Sequence, residues 1–141
     1  MWSLILILAG VSMMPIQGAS PTQPTQSPTA TQKAPDVPVM DGEIGPCSVE
    51  FTVLDTKGKP VSTALINVKI AYGFAGIRKL EMGVYTNADG KGKFVGIPAK
   101  VHKPPLQFRA SKNELAGIGS VDPATDCQAK HDILLDKKPS Q

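Results

Sequence analysis

The sequence predicts an all-β fold, a seven-stranded β-sandwich preceded by an export signal and an extended linker. Three observations carry this. Runs of alternating apolar and polar residues recur through the last two thirds of the chain. Turn-forming clusters separate them, chiefly Asp55-Thr56-Lys57-Gly58-Lys59-Pro60 and Thr86-Asn87-Ala88-Asp89-Gly90. No window shows a convincing helical period.

The amino-terminal segment comes first. Leu4 to Val11 is an apolar run extended by Met13, Met14 and Ile16, and small residues follow at Gly18, Ala19 and Ser20. That is the pattern of a signal peptide over 1–19, cut near the small residues. No Lys or Arg precedes the run, so retention as an anchor is the alternative, although the run is shorter than the roughly 20 apolar residues of a spanning helix. The only membrane contact expected is through this segment, if it stays uncleaved. The first cysteine is Cys47, so lipid attachment at the cleavage region is excluded.

From 20 to 46 the composition shifts. Pro21-Thr22-Gln23-Pro24-Thr25-Gln26 repeats one tripeptide, and Pro28, Pro35, Pro38 and Pro46 follow. Such a segment buries too little apolar surface to offset its ordering entropy, and its prolines stiffen it. A disordered linker is therefore expected over 20–46, with the folded domain over 47–138.

Within that domain, Cys47, Val49, Phe51 and Val53 share one face of the first strand. After the Gly58-Lys59-Pro60 turn, Ala64, Ile66, Val68 and Ile70 form the inward face of the second. Leu80, Met82 and Val84 make the third. Asn87-Ala88-Asp89-Gly90 is a hairpin signal, because these residues tolerate positive φ. Phe94, Val95 and Ile97 give a short fourth strand, and Leu106, Phe108 and Ala110 a fifth. Leu115 to Val121 is a weaker sixth, interrupted by Gly117 and Gly119, and Ile133 and Leu135 end a seventh. Phe51, Ile66, Val68, Val84, Phe94 and Phe108 are expected to point inward.

The residues then resemble a known family. Val53-Leu54-Asp55, Gly58-Lys59-Pro60-Val61 and Ala64 resemble the opening of carboxypeptidase regulatory-like domains. Thr86-Asn87, Gly90, Lys93-Phe94 and Gly96-Ile97-Pro98 resemble that family's second signature. The likeness covers about residues 49–110 and departs after Pro98, where Ala99 to Pro105 lengthen the loop. It implies a transthyretin-like, immunoglobulin-like sandwich of seven strands, used as an accessory module on exported proteins.

Chemistry is sparse. Cys47 and Cys127 are the two cysteines, and export to an oxidising compartment makes a disulfide the expected pairing. His102 is flanked by Lys103 and stands apart from any ligand pattern, and His131-Asp132 reads as a strand position beside a turn. Were Asn87-x-Asp89-Gly90 a calcium loop with Gly90 sixth, Tyr85 and Gly96 would fall at the first and twelfth positions, and neither supplies a carboxylate. Ser120 follows Gly119 but precedes Val121, so no nucleophile elbow exists. The enzyme branch of transthyretin-like folds ends in Tyr-Arg-Gly-Ser, whereas this sequence closes on Lys137-Lys138-Pro139-Ser140-Gln141. No catalytic residue, metal or cofactor is expected.

The net charge of +3 divides into −2 over residues 1–46 and +5 over the rest. The lysines are dispersed and aromatics are 5% of the chain, so a solvated surface is expected and no nucleic-acid partner. One loop stands out. Tyr72-Gly73-Phe74 sets two aromatics among glycines, close to Arg78. Exposed, these residues would contact protein or stack on sugar; otherwise Phe74 caps the open end of the sandwich. The expected role is a non-enzymatic module, secreted or in the cell envelope or periplasm, that contacts a protein. The alternatives are carbohydrate binding and, last, a small transthyretin-like hydrolase.

Overall fold

The computed structural model describes Gly18 and residues 36–139. The signal reading over 1–19, Gly18 aside, and the linker reading over 20–35 lie outside the described residues.

Alternation along the chain becomes alternation between core and solvent. In β2 (Cys47–Leu54) every odd-numbered residue is buried and every even-numbered one is half-exposed. The same period of two runs through β3 (Leu65–Tyr72), whose buried residues are Ile66, Val68 and Ile70. β4 (Arg78–Tyr85), β5 (Lys91–Ile97), β6 (Leu106–Lys112), β7 (Leu115–Val121) and β8 (Gln128–Leu134) follow. Two short strands complete the set, β1 (Val39–Asp41) and β9 (Asp136–Lys137). The described residues contain no α-helix; one 3-10 turn occupies Phe74–Gly76.

The strands form two sheets, ordered β1-β5-β2-β8 and β4-β3-β6-β7-β9. Pairing is antiparallel except for β2 with β8 and β1 with β5. The six side chains expected to face inward are all in the core. Phe108 of the second sheet joins the layers, its ring centroid 4.6 Å from Phe51 and 5.2 Å from Phe94.

Two expectations need correction. The described residues form nine strands, not seven, because β1 and β9 flank the predicted set. The disorder expected over 20–46 does not extend through β1, where Lys93 N–H donates to Pro38 O at 2.9 Å and Gly42 N–H to Val95 O at 2.9 Å. β5 would otherwise be an edge with free main-chain groups, and a three-residue strand is enough to pair with it. The folded unit therefore begins before residue 47.

β7 is also firmer than its glycines suggest. A Cβ on Gly119 would lie 2.8 Å from Phe51 Cε1, and one on Gly117 would collide with Leu134 O. These glycines let neighbouring chain approach closely.

The disulfide joins Cys47 to Cys127, with Cα atoms 4.5 Å apart. It fastens the start of β2 to the loop before β8, and Ser48 N–H donates to Cys127 O beside it at 2.8 Å. Closing a loop of 80 residues removes unfolded-state freedom equivalent to about 4.5 kcal/mol in the chain-entropy account.

Candidate functional site

The Tyr72–Arg78 connection is held by its backbone. Gly73 and Gly76 adopt φ of 75° and 68°, and Ala75 sits at φ 54° between them. Gly76 N–H donates to Gly73 O and Ile77 N–H to Phe74 O, each at 3.2 Å. Tyr72 and Arg78 are cross-strand partners at its base, and the aliphatic part of Arg78 runs beside Gly73. A second loop braces the first. His102 N–H donates to Ala71 O at 2.7 Å, and the His102 ring lies so close to Gly76 that a Cβ there would stand 2.6 Å from its Cγ.

This geometry divides the predicted residues. Tyr72 packs against the core and is half-buried. Phe74 is 89% exposed, so it does not cap the sandwich. Arg78 is exposed at the start of β4. Ile77, which sequence reading passed over, is 74% exposed beside Phe74. Its only signal was an apolar residue immediately after a glycine turn and before a charged strand start. Below Phe74 a groove of about 460 Å³ runs between Pro46, Tyr72, Pro98, Val101 and His102. The site is thus an apolar tip beside an open, mostly apolar groove.

Several other polar groups serve the turns or the surface. Asn87 Oδ1 accepts from Asp89 N–H and Lys91 N–H, each at 3.0 Å, which closes the hairpin that sequence placed there. Asp55 Oδ1 accepts from Lys57 N–H at 2.8 Å and Lys59 N–H at 3.0 Å. The Lys59 hydrogen bond leads the causes that hold the Asp55 carboxyl below the ordinary aspartate range. His131 Nε2 lies 3.3 Å from Asp126 Oδ2 at the surface. Among the described residues no three His, Cys, Asp or Glu side chains converge as metal ligands, and both cysteines are oxidised.

Comparison with known proteins places the chain among distant structural likenesses only. No family model and no curated protein sequence matches it. Hydroxyquinol 1,2-dioxygenase from Pseudomonas putida DLL-E4 is similar with a TM-score of 0.48 and 12% identity, over 74% of this chain and 63% of that one. Catechol 1,2-dioxygenase from Pseudomonas arvilla C-1 is similar at 0.49 and 14%, over 76% and 60%. For 3-chlorocatechol 1,2-dioxygenase from Rhodococcus opacus 1CP the values are 0.47 and 12%, over 74% and 69%. The chain thus spans little more than three fifths of the hydroxyquinol enzyme. Likeness at this distance carries neither chemistry nor family membership to this chain.

Proposed function

We propose that this chain is a non-enzymatic exported β-sandwich module that mediates protein contact at the cell envelope or outside the cell, through its Phe74–Ile77 end. One observation carries the reading: two large apolar side chains stand in solvent on a turn whose backbone is fixed by hydrogen bonds and by the His102 ring. An apolar tip that is already ordered loses little conformational freedom on docking, so more of its burial becomes affinity. Export is supported by the apolar run near the amino terminus and by the disulfide, a bond suited to oxidising compartments. The resemblance to carboxypeptidase regulatory-like domains supports an accessory role.

Protein contact is favoured over sugar binding because, among the described residues, Phe74 has no exposed Tyr, Trp or Phe beside it. Tyr72 is half-buried, and the exposed Tyr85 lies at the opposite end of β4. Stacking on a sugar gains from a platform of rings with polar groups around it.

The test is a photo-crosslinking side chain at position 74, compared with one at the exposed Gln107 on the outer face of the second sheet. A discrete protein adduct at 74 and none at 107 is expected, with no binding on a glycan array. Glycan binding lost in Phe74→Ala would replace protein contact with carbohydrate binding. Absence of any protein adduct at 74 would remove the reading.

A further inference from the structure

We propose that the partner at this end is a second copy of the same chain, joined edge to edge through β4. The inference rests on the contact reading above and names its occupant.

Among the described residues β4 ends the second sheet and pairs only with β3, in an unbroken register from Leu65↔Tyr85 to Tyr72↔Arg78. The direction of its free hydrogen-bonding groups follows from two bonds. Thr86 N–H donates to Ala64 O and Thr86 O accepts from Thr63 N–H, each at 2.9 Å, so both main-chain groups of Thr86 face the side of β3. Bonded pairs alternate along an antiparallel ladder. Leu80, Met82 and Val84 therefore turn their main-chain groups toward β3. Lys79, Glu81, Gly83 and Tyr85 turn theirs to the open edge, where no main-chain partner meets them among the described residues.

Exposed edges are ordinarily blunted by proline, a bulge, a short length or a repelling charge. β4 is eight residues long, with no proline and no bulge. Its charges are self-complementary rather than repelling. In an antiparallel two-fold pairing, Lys79 can stand opposite Glu81 of the second copy and Glu81 opposite its Lys79, with Leu80 facing its twin. Both pairs are then hydrogen-bonded pairs on the outer face, which suits the parity of the free groups. Neighbouring registers of the same parity set Glu81 against Glu81 or Lys79 against Lys79, and like charges directly opposite destabilise.

The exposed apolar residues agree. β1 is in contact with β4 across the layers, so Val39 and Met40 lie on the same flank. With Phe74, Ile77 and Tyr85 they make five of the seven large apolar side chains that the described residues expose. The pairing brings Ile77 alongside Gly83 of the second copy and the Phe74 turn toward its Tyr85. A two-fold contact buries one patch twice, so a modest flank gives an isologous interface.

Sedimentation equilibrium of the protein purified after expression of the full chain is the test. A monomer–dimer equilibrium is expected. Lys79→Glu and Glu81→Lys should each weaken it about tenfold or more, since every attractive pair becomes repulsive. The double exchange Lys79→Glu/Glu81→Lys should restore it, and an equimolar mixture of the single variants should dimerise better than either alone. Circular dichroism melting separates lost pairing from lost folding, with Lys79→Glu as the cleaner variant, because Glu81 also pairs with Lys69 across β3 and β4 at 3.6 Å and Glu81→Lys sets two lysines opposite each other there. A crosslinker at position 77 should be recovered attached to the peptide containing Gly83–Tyr85. A monomer at every concentration, or a dimer indifferent to both charge reversals, overturns the inference. Should the protein stay monomeric while position 74 captures a different protein, the contact reading stands and self-pairing falls. Should position 74 capture nothing, both fall.

Discussion

Phe51 lies against Gly119 so closely that a Cβ on the glycine would stand 2.8 Å from its ring. The two residues belong to different sheets, and with Phe108 they set the spacing between the layers. Gly119→Ala should therefore act as overpacking and destabilise by about 1–3 kcal/mol. Phe108→Ala acts in the opposite sense. It removes a fully buried ring that touches both Phe51 and Phe94, and should cost about 3–5 kcal/mol. Urea melts of the two variants check both values. A cost below about 1 kcal/mol for Phe108→Ala would be incompatible with this packing.

Thr86 is a buried polar side chain within the core, and its hydroxyl works in both directions. It donates to Val61 O at 2.6 Å and accepts from Ala64 N–H at 2.9 Å, fastening the entry to β3 to the end of β4. Thr86→Val keeps the shape and leaves both main-chain groups without that partner. Destabilisation of about 1–3 kcal/mol is expected, the cost of a buried unsatisfied group. Thr86→Ser, which keeps the hydroxyl, should recover most of it. Equal melting of the valine and serine variants would show that the hydroxyl contributes nothing.

Asp55 gives the fold a dependence on pH. Its carboxylate accepts two main-chain hydrogen bonds in the 55–60 turn, and its pKa is lowered in the folded state. A depressed carboxyl stabilises above the unfolded-state pKa, and that contribution fades as pH falls through the folded-state pKa. Asp55→Asn should melt slightly below the parent at pH 7, and the gap should close by about pH 2, below the ordinary aspartate range. Because the group is exposed, the effect is small. Scanning calorimetry at both pH values checks it, and a gap that persists at low pH would assign the difference to geometry rather than charge.

How much of this was legible in the sequence depends on whether a signal was local. Cys47 to Val53 spells its burial directly, because a strand with one buried face alternates. The Asn87 and Asp55 turns were readable for the same reason: side chain and main chain meet within four residues. The parallel pairing of β2 with β8 was not readable, since nothing in either strand encodes a partner about 80 residues away. β1 was hidden by its proline-rich approach, and its pairing depends on the edge of β5. At the site, Tyr72, Phe74 and Arg78 were visible as residue types. Their separation into a half-buried ring, an exposed ring and an exposed charge came from the Gly73 and Gly76 backbone and the His102 brace, which are tertiary facts.

The last prediction follows from β1. A domain read as starting at residue 47 would tolerate truncation to Glu43, but that cut removes Val39–Asp41 and the bonds to Pro38 O and from Gly42 N–H. A protein beginning at Glu43 should therefore be less stable than one beginning at Asp36, by roughly 1–3 kcal/mol for a few main-chain hydrogen bonds at about 1 kcal/mol each. β5 would also be left as an open edge, so the shorter protein should aggregate sooner on heating. The protein beginning at Asp36 should melt with the protein that retains residues 20–35. Replacing residues 20–35 by a Gly/Ser sequence of equal length should leave melting unchanged and shorten the mean reach of the module, because proline-rich chains are more extended. Scattering measurements of the maximum dimension, beside the melts, separate the two effects. Equal melting of the Asp36 and Glu43 proteins would show that β1 adds nothing to the sandwich. A loss already present on removing residues 20–35 would place part of the fold's support further toward the amino terminus.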